Sequence, residues 1–117
     1  MREQERNFTI FLNDIIDNMY RIEHFTEDMG YKDFVRDEKT RFACIQCIEI
    51  IGEAAKHVPA RIRSQYPSIP WNDIAGMRDK LIHAYFTIDS LKVWKVIKED
   101  IPELKPMIEA IIREPSS

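Results

Sequence analysis

Between Met77 and Tyr85 the chain reads Met77-Arg78-Asp79-Lys80-Leu81-Ile82-His83-Ala84-Tyr85, which gathers an arginine, an acid, a histidine and a tyrosine into nine residues. An imidazole that titrates near neutral pH is the usual proton carrier in a general acid–base step. A guanidinium is the preferred clamp for phosphate oxygens and for charge developing on a phosphorane. With no candidate metal cluster in the sequence, Arg78 and His83 fit metal-independent RNA cleavage, in which a 2′-hydroxyl attacks its own phosphodiester.

The spacing predicts a helix through the whole stretch. Ile74, Met77, Leu81 and Ala84 then fall on one stripe that faces a core. Asp79 and His83, four apart, can touch, so the carboxylate would orient the imidazole and favour its charged form. Arg78 and Tyr85, seven apart, point almost the same way. Arg78 and His83 diverge by roughly 140° around the axis, so one helix presents them awkwardly to a single phosphate. Two such helices at a two-fold axis would bring pairs of each into one cleft. Ile82, apolar among Arg78, His83 and Tyr85, points to a face covered by a second copy of the chain.

The elements that must position this stretch are helical. In the first, expected from Gln4 to Met29, Phe8, Leu12, Ile15, Met19 and Ile22 recur at spacings of three and four, a narrow apolar seam. Gly30 is expected to end it in a conformation costly to other residues. His24, among Glu23, Glu27 and Asp28, reads as a solvated, charge-paired side chain. A connector from Tyr31 to Arg36, with Asp33 as a cap, leads to a second long helix from Asp37 to His57. Its apolar residues leave little of its circumference polar, so it should be buried on more than one side, and Gly52 would let another backbone approach closely. Cys44 and Cys47 read as reduced core residues.

A short helix from Pro59 to Gln65 carries Arg61 and Arg63. With Lys56 and His57 these form the most basic patch, which would either steer RNA or a partner or simply be a solvated helix end. Tyr66-Pro67-Ser68-Ile69-Pro70 forces extended backbone. The helix beyond it starts at Trp71, capped by Asn72 or Asp73, with Trp71 packed in the core rather than stacked on a base. Asp89 or Ser90 should cap the last helical region, where Leu91, Trp94, Ile97 and Ile101 share a face. Pro102 and Pro106 should kink or restart it, and 113–117 should fray.

Three glycines, six prolines and long helical periods indicate an all-α fold, and 117 residues suit one domain, 1–117. The formal charge of -3 and pI near 5.6 argue against broad, non-specific nucleic-acid binding but leave room for a phosphate cleft. No stretch approaches the apolar length of a membrane span, and the polar start lacks the core of a signal peptide. The expected location is the cytoplasm.

Arg78-Asp79-x-x-x-His83 resembles the R-polar-x3-H motif of the HEPN superfamily, and Arg78-x4-His83-x-Tyr85 matches the extended motif of HepT-like toxins. Ile50-Ile51-Gly52-Glu53-Ala54-Ala55-Lys56 and Trp71-x-x-Ile74-Ala75-Gly76-Met77-Arg78 resemble the other two recurrent blocks of that family. Asp79 stands where the family often carries asparagine, a mild departure. The resemblance covers essentially the whole chain. It implies an up-down bundle of four to five helices, homodimeric, with RNase toxin activity and no cofactor. Arg78 and His83 would be catalytic and Asp79 supporting, with Lys80, Arg61 and Arg63 available to RNA or a partner. It also implies an MntA-type nucleotidyltransferase antitoxin that transfers AMP to Tyr85. The alternative is a catalytically inactive dimeric module that binds a nucleotidyltransferase or a nucleotide. Asp79 and the acidic pI favour it, since carboxylates repel phosphate.

Overall fold

The computed structural model describes residues 8–83 and 87–114, with backbone alone at 82–83 and 87–88. Helix α1 spans Phe8–Thr26; its expected start at Gln4 lies outside the described residues. Leu12, Ile15, Met19 and Ile22 are fully buried, the seam that their spacing predicts. The residue beyond α1 that takes the left-handed conformation is Asp28, with φ 67°, and not Gly30. A short polar side chain tolerates that region at modest cost. Gly30 instead sits extended ahead of α2 (Tyr31–Arg36) and donates its N–H to Asp33 Oδ2 at 2.9 Å. His24, exposed, pairs with Glu27 at 3.6 Å.

Helix α3 covers Glu38–His57. Asp37 caps it, accepting from the Thr40 N–H at 3.0 Å and the Thr40 hydroxyl at 2.8 Å, and these two bonds hold its carboxyl below the ordinary carboxylate value. As expected, α3 is buried on more than one side, against α1 and against the segment that carries Arg78. The first and third helices run antiparallel, since Phe11 near the start of α1 stacks on His57 at the end of α3, with ring centroids 5.3 Å apart. Phe42, one of the apolar residues of this helix, is nevertheless 58% exposed. Cys44 and Cys47 are buried free thiols, and burial pushes Cys44 up to about 12 and Cys47 upward as well.

Helix α4 (Ala60–Gln65) starts one residue after Pro59, which is its N-cap. Helix α5 (Trp71–Ala75) starts at Trp71 as expected, but Pro70 precedes it and neither Asn72 nor Asp73 caps it. The turn ahead of it satisfies the donors instead. Trp71 N–H bonds to Ile69 O at 2.8 Å and Ile74 N–H to Pro70 O at 3.0 Å, so a side-chain cap has little left to accept. The Trp71 ring is buried and its Nε1 donates to Tyr66 O at 3.1 Å, which is the core anchoring expected.

Gly76 turns the chain into helix α6 (Met77–Leu81). Ile74, Met77 and Leu81 are all buried, as their stripe predicts; Ala84 lies outside the described residues. The helix does not continue through His83. It stops at Leu81, and β1 (Ile82–His83) pairs antiparallel with β2 (Thr87–Ile88), with Ile82 opposite Ile88 and His83 opposite Thr87. Asp89 N–H closes the ladder onto Leu81 O at 2.9 Å. The run from Ile82 to Ile88 is rich in β-branched and aromatic residues, which fit a strand better than a helix.

Asp89 caps α7 (Ser90–Lys95) through Oδ1, 3.1 Å from both the Leu91 and Lys92 N–H groups. The backbone passes through a π-helical turn (Val96–Asp100) into α8 (Ile101–Arg113). It neither stops nor restarts at Pro102 or Pro106, contrary to expectation. The wider turn ahead of Pro102 relieves the clash that its ring makes in a regular helix. Leu91, expected on the buried face with Ile97 and Ile101, is 47% exposed. Helix α8 runs back along α1, where Lys105 Nζ meets Glu23 at 2.6 Å and the Tyr20 hydroxyl donates to Glu109 at 2.6 Å. The result is the expected all-α bundle apart from one short ladder. Among the described residues no helix is long and apolar enough to cross a membrane.

Candidate functional site

The site is built where α3 and α5–α6 come closest. A Cβ placed on Gly52 would lie 3.1 Å from Ala75 O and 3.4 Å from Ile74 O, so the backbone carbonyls of α5 reach into the gap that glycine leaves. From that contact, one turn back along α3 is Glu49 and one turn forward is Arg78. The two meet, Arg78 Nε donating to Glu49 Oε1 at 2.8 Å. The apolar stripe of Ile74, Met77 and Leu81 faces the core, which turns Arg78 outward. Both partners are partly exposed, 44% and 38% at the side chain. An exposed pair of this kind contributes roughly 0–1 kcal/mol to stability, so its main consequence is where it holds the guanidinium.

Glu49 also lines a groove of ≈ 370 Å³ between α1 and α3, with Phe11, Asp14, Ile50, Glu53 and His57. Three carboxylates there make the groove unfavourable to phosphate. His57 stacks on Phe11 within it. An anion would therefore approach Arg78 from the side away from Glu49.

The other candidates separate. Asp79 is exposed on α6. The helical register that would set it against His83 is lost, because the chain is extended at Ile82–His83. His83 is in the ladder, two residues beyond the end of α6. The predicted modification point, Tyr85, lies outside the described residues. Lys80 pairs with Asp73 at 3.6 Å and borders a second cavity of ≈ 280 Å³ with Asp100 and Glu103. Burial, and then the charge of Glu99, push the Asp100 carboxyl above its ordinary value. Arg61 and Arg63 lie on α4, and Arg63 borders a third cavity of ≈ 540 Å³ beside Trp71. The structure thus brings Arg78 together with Glu49, a residue that sequence reasoning missed. The pair is 29 residues apart, and the one available signal was Gly52, three residues after Glu49, which marks the face where another backbone approaches.

A family model described as "Ribonuclease HepT-like" matches residues 15–111. A protein of Methanocaldococcus jannaschii named "Putative RNase" is 47% identical over 110 residues, 94% of this chain and 95% of its own length. A second protein of that organism, with the same description, is 46% identical over 94% of this chain and 91% of its own. A protein of Thermococcus cleftensis named "Probable ribonuclease HepT" is 47% identical over 92% of this chain and 97% of its own. No solved structure matches the chain.

Proposed function

The chain belongs to the ribonuclease HepT-like family, and on that premise we propose that it is a metal-independent endoribonuclease, the toxin of a toxin–antitoxin pair acting in the cytoplasm. The observation that carries this reading is the exposed guanidinium of Arg78, anchored where two helices approach closely, on the short helix that runs directly into the strand of His83. Arg78 binds the scissile phosphodiester and offsets the charge that builds on its oxygens. A His83 imidazole takes the proton of the 2′-hydroxyl as that oxygen attacks phosphorus. The 5′-oxygen of the next nucleotide leaves with a proton from an imidazolium, which gives a 2′,3′-cyclic phosphate and a free 5′-hydroxyl. A homodimer would supply a pair of each residue, one histidine as base and one as acid.

Purified protein incubated with a mixed RNA and tRNA pool in EDTA is expected to cleave it and leave cyclic phosphate ends. RNA that stays intact under a range of buffer conditions would overturn the ribonuclease reading.

Neutralisation would come from a nucleotidyltransferase antitoxin of the MntA type. The Tyr85 hydroxyl attacks the α-phosphate of ATP, pyrophosphate leaves, and an adenylyl group is joined to the phenolic oxygen. The added phosphate and base would sit in the segment after His83 and compete with RNA for the site. Mass spectrometry of protein co-expressed with its nucleotidyltransferase should show an AMP increment on the peptide carrying Tyr85, absent from Tyr85→Phe. An unmodified peptide would remove this part of the proposal.

The acidic groove beside Glu49 favours the second reading, a dimeric module that binds a nucleotidyltransferase and cuts nothing. Intact RNA together with co-elution of the enzyme would select it.

A further inference from the structure

We propose that Glu49 is a positioning residue for Arg78, holding the guanidinium side-on so that its terminal nitrogens are presented to a phosphate. The inference rests on the reading of Arg78 as the phosphate clamp. Three observations carry it. First, the contact is made through Nε, 2.8 Å from Glu49 Oε1, and among the described residues the guanidinium donates to nothing else. A guanidinium has two edges that can take paired oxygens. Engagement at Nε leaves the Nη1 and Nη2 fork free for two oxygens of one phosphate.

Second, the helix that bears Arg78 is only five residues long, Met77–Leu81. A long, flexible side chain leaving so short a helix would be dispersed over many rotamers without a tether. Third, the tether is itself fixed. Glu49 stands one turn from Gly52, whose contact with the Ala75 and Ile74 carbonyls locks α3 against α5. The acidic side of the groove, Asp14 and Glu53, lies on the Glu49 side, which leaves the fork as the edge open to an anion.

Glu49 therefore acts through Arg78 and touches no substrate. Its carboxylate partly neutralises the guanidinium, so a competing role is conceivable on charge alone: Glu49 as an internal occupant that phosphate must displace. The side-on geometry decides against it, because the edge that phosphate needs is not the edge that Glu49 uses.

Two measurements on the full chain test this. The first is steady-state cleavage of an RNA oligonucleotide by the parent, Glu49→Gln and Glu49→Ala. Glu49→Ala is expected to lower kcat roughly ten- to a hundredfold, the scale of a misplaced catalytic group, while KM changes about threefold or less. Glu49→Gln keeps an oxygen acceptor for Nε and should recover most of the loss. Cleavage by Glu49→Ala equal to or faster than the parent would overturn the proposal and make Glu49 a competitor.

The second is the ¹⁵N–¹H signal of the Arg78 Nε–H, assigned by its absence from Arg78→Lys and followed during titration with a 2′-O-methyl RNA that cannot be cleaved. The signal should be protected from solvent exchange in the parent and Glu49→Gln, exposed in Glu49→Ala, and retained as RNA binds. Protection that is indifferent to Glu49, or that RNA abolishes in the parent, overturns the proposal. Should the parent cleave no RNA, the ribonuclease reading fails by itself, and this second measurement still decides the role of Glu49.

Discussion

His83→Ala is expected to reduce RNA cleavage by roughly 10²–10⁴-fold, the span associated with loss of a positioned general acid–base group, while the protein stays folded. The fold should tolerate the change because His83 belongs to the ladder through its main chain. Its register opposite Thr87, and the neighbouring bond from Asp89 N–H to Leu81 O, are made by backbone atoms that alanine retains. Thermal unfolding and light scattering beside the cleavage assay would separate chemistry from structure. A variant that cleaves as well as the parent, or one that loses activity only because its assembly is lost, would remove His83 from the role assigned to it.

Gly52→Leu should destabilise the protein by about 1–2 kcal/mol, and it should also weaken whatever chemistry depends on Arg78. A leucine gains about 1 kcal/mol of helix propensity over glycine, but overpacking typically costs 1–3 kcal/mol, occasionally more. Here the obstacle is main chain, Ala75 O at 3.1 Å and Ile74 O at 3.4 Å from the added Cβ, and carbonyls of a helix cannot swing aside as a side-chain tip can. The helices would have to part, and Glu49 and Arg78 would part with them. Gly52→Ala serves as the control. Its Cβ meets the same two carbonyls but brings no further atoms, and the propensity gain offsets that contact, so it should fall within about 1 kcal/mol of the parent. Urea unfolding midpoints for the two variants check this. Equal midpoints would mean that the close approach does not govern stability.

Much of this architecture can be read from local patterns. The stripe of Ile74, Met77 and Leu81 is buried as its spacing requires, Asp89 caps the last helical region, and Gly52 marks a backbone approach before any partner is known. These features depend on neighbours in sequence or on the absence of a side chain, which a single chain displays. The end of α6 was harder to read. Ala84 continues the helical stripe in phase, and that periodicity competes with the β-branched and aromatic character of the run from Ile82 to Ile88. The strand character prevails because a ladder partner lies a few residues downstream, and helical spacing alone carries no record of it. Gly30 and Asp28 show a similar competition, in which the residue best suited to a left-handed turn is left to start the next helix. For the Arg78–Glu49 pair the sequence offered only Gly52 as a signal, since the pair depends on the relative placement of two helices.

The motif therefore crosses a mechanical boundary at Leu81. On one side, Arg78 is located by apolar packing between helices and a single tether to Glu49. On the other, His83 is located by hydrogen bonds between two short strands. Packing strength fades on cooling whereas main-chain hydrogen bonding does not follow the same law, so the two halves are held by forces with different temperature dependence. The same division makes them separable in evolution. A lineage could lose the grip on Arg78 through one change in α3 and keep the ladder intact, turning a nuclease into a folded scaffold.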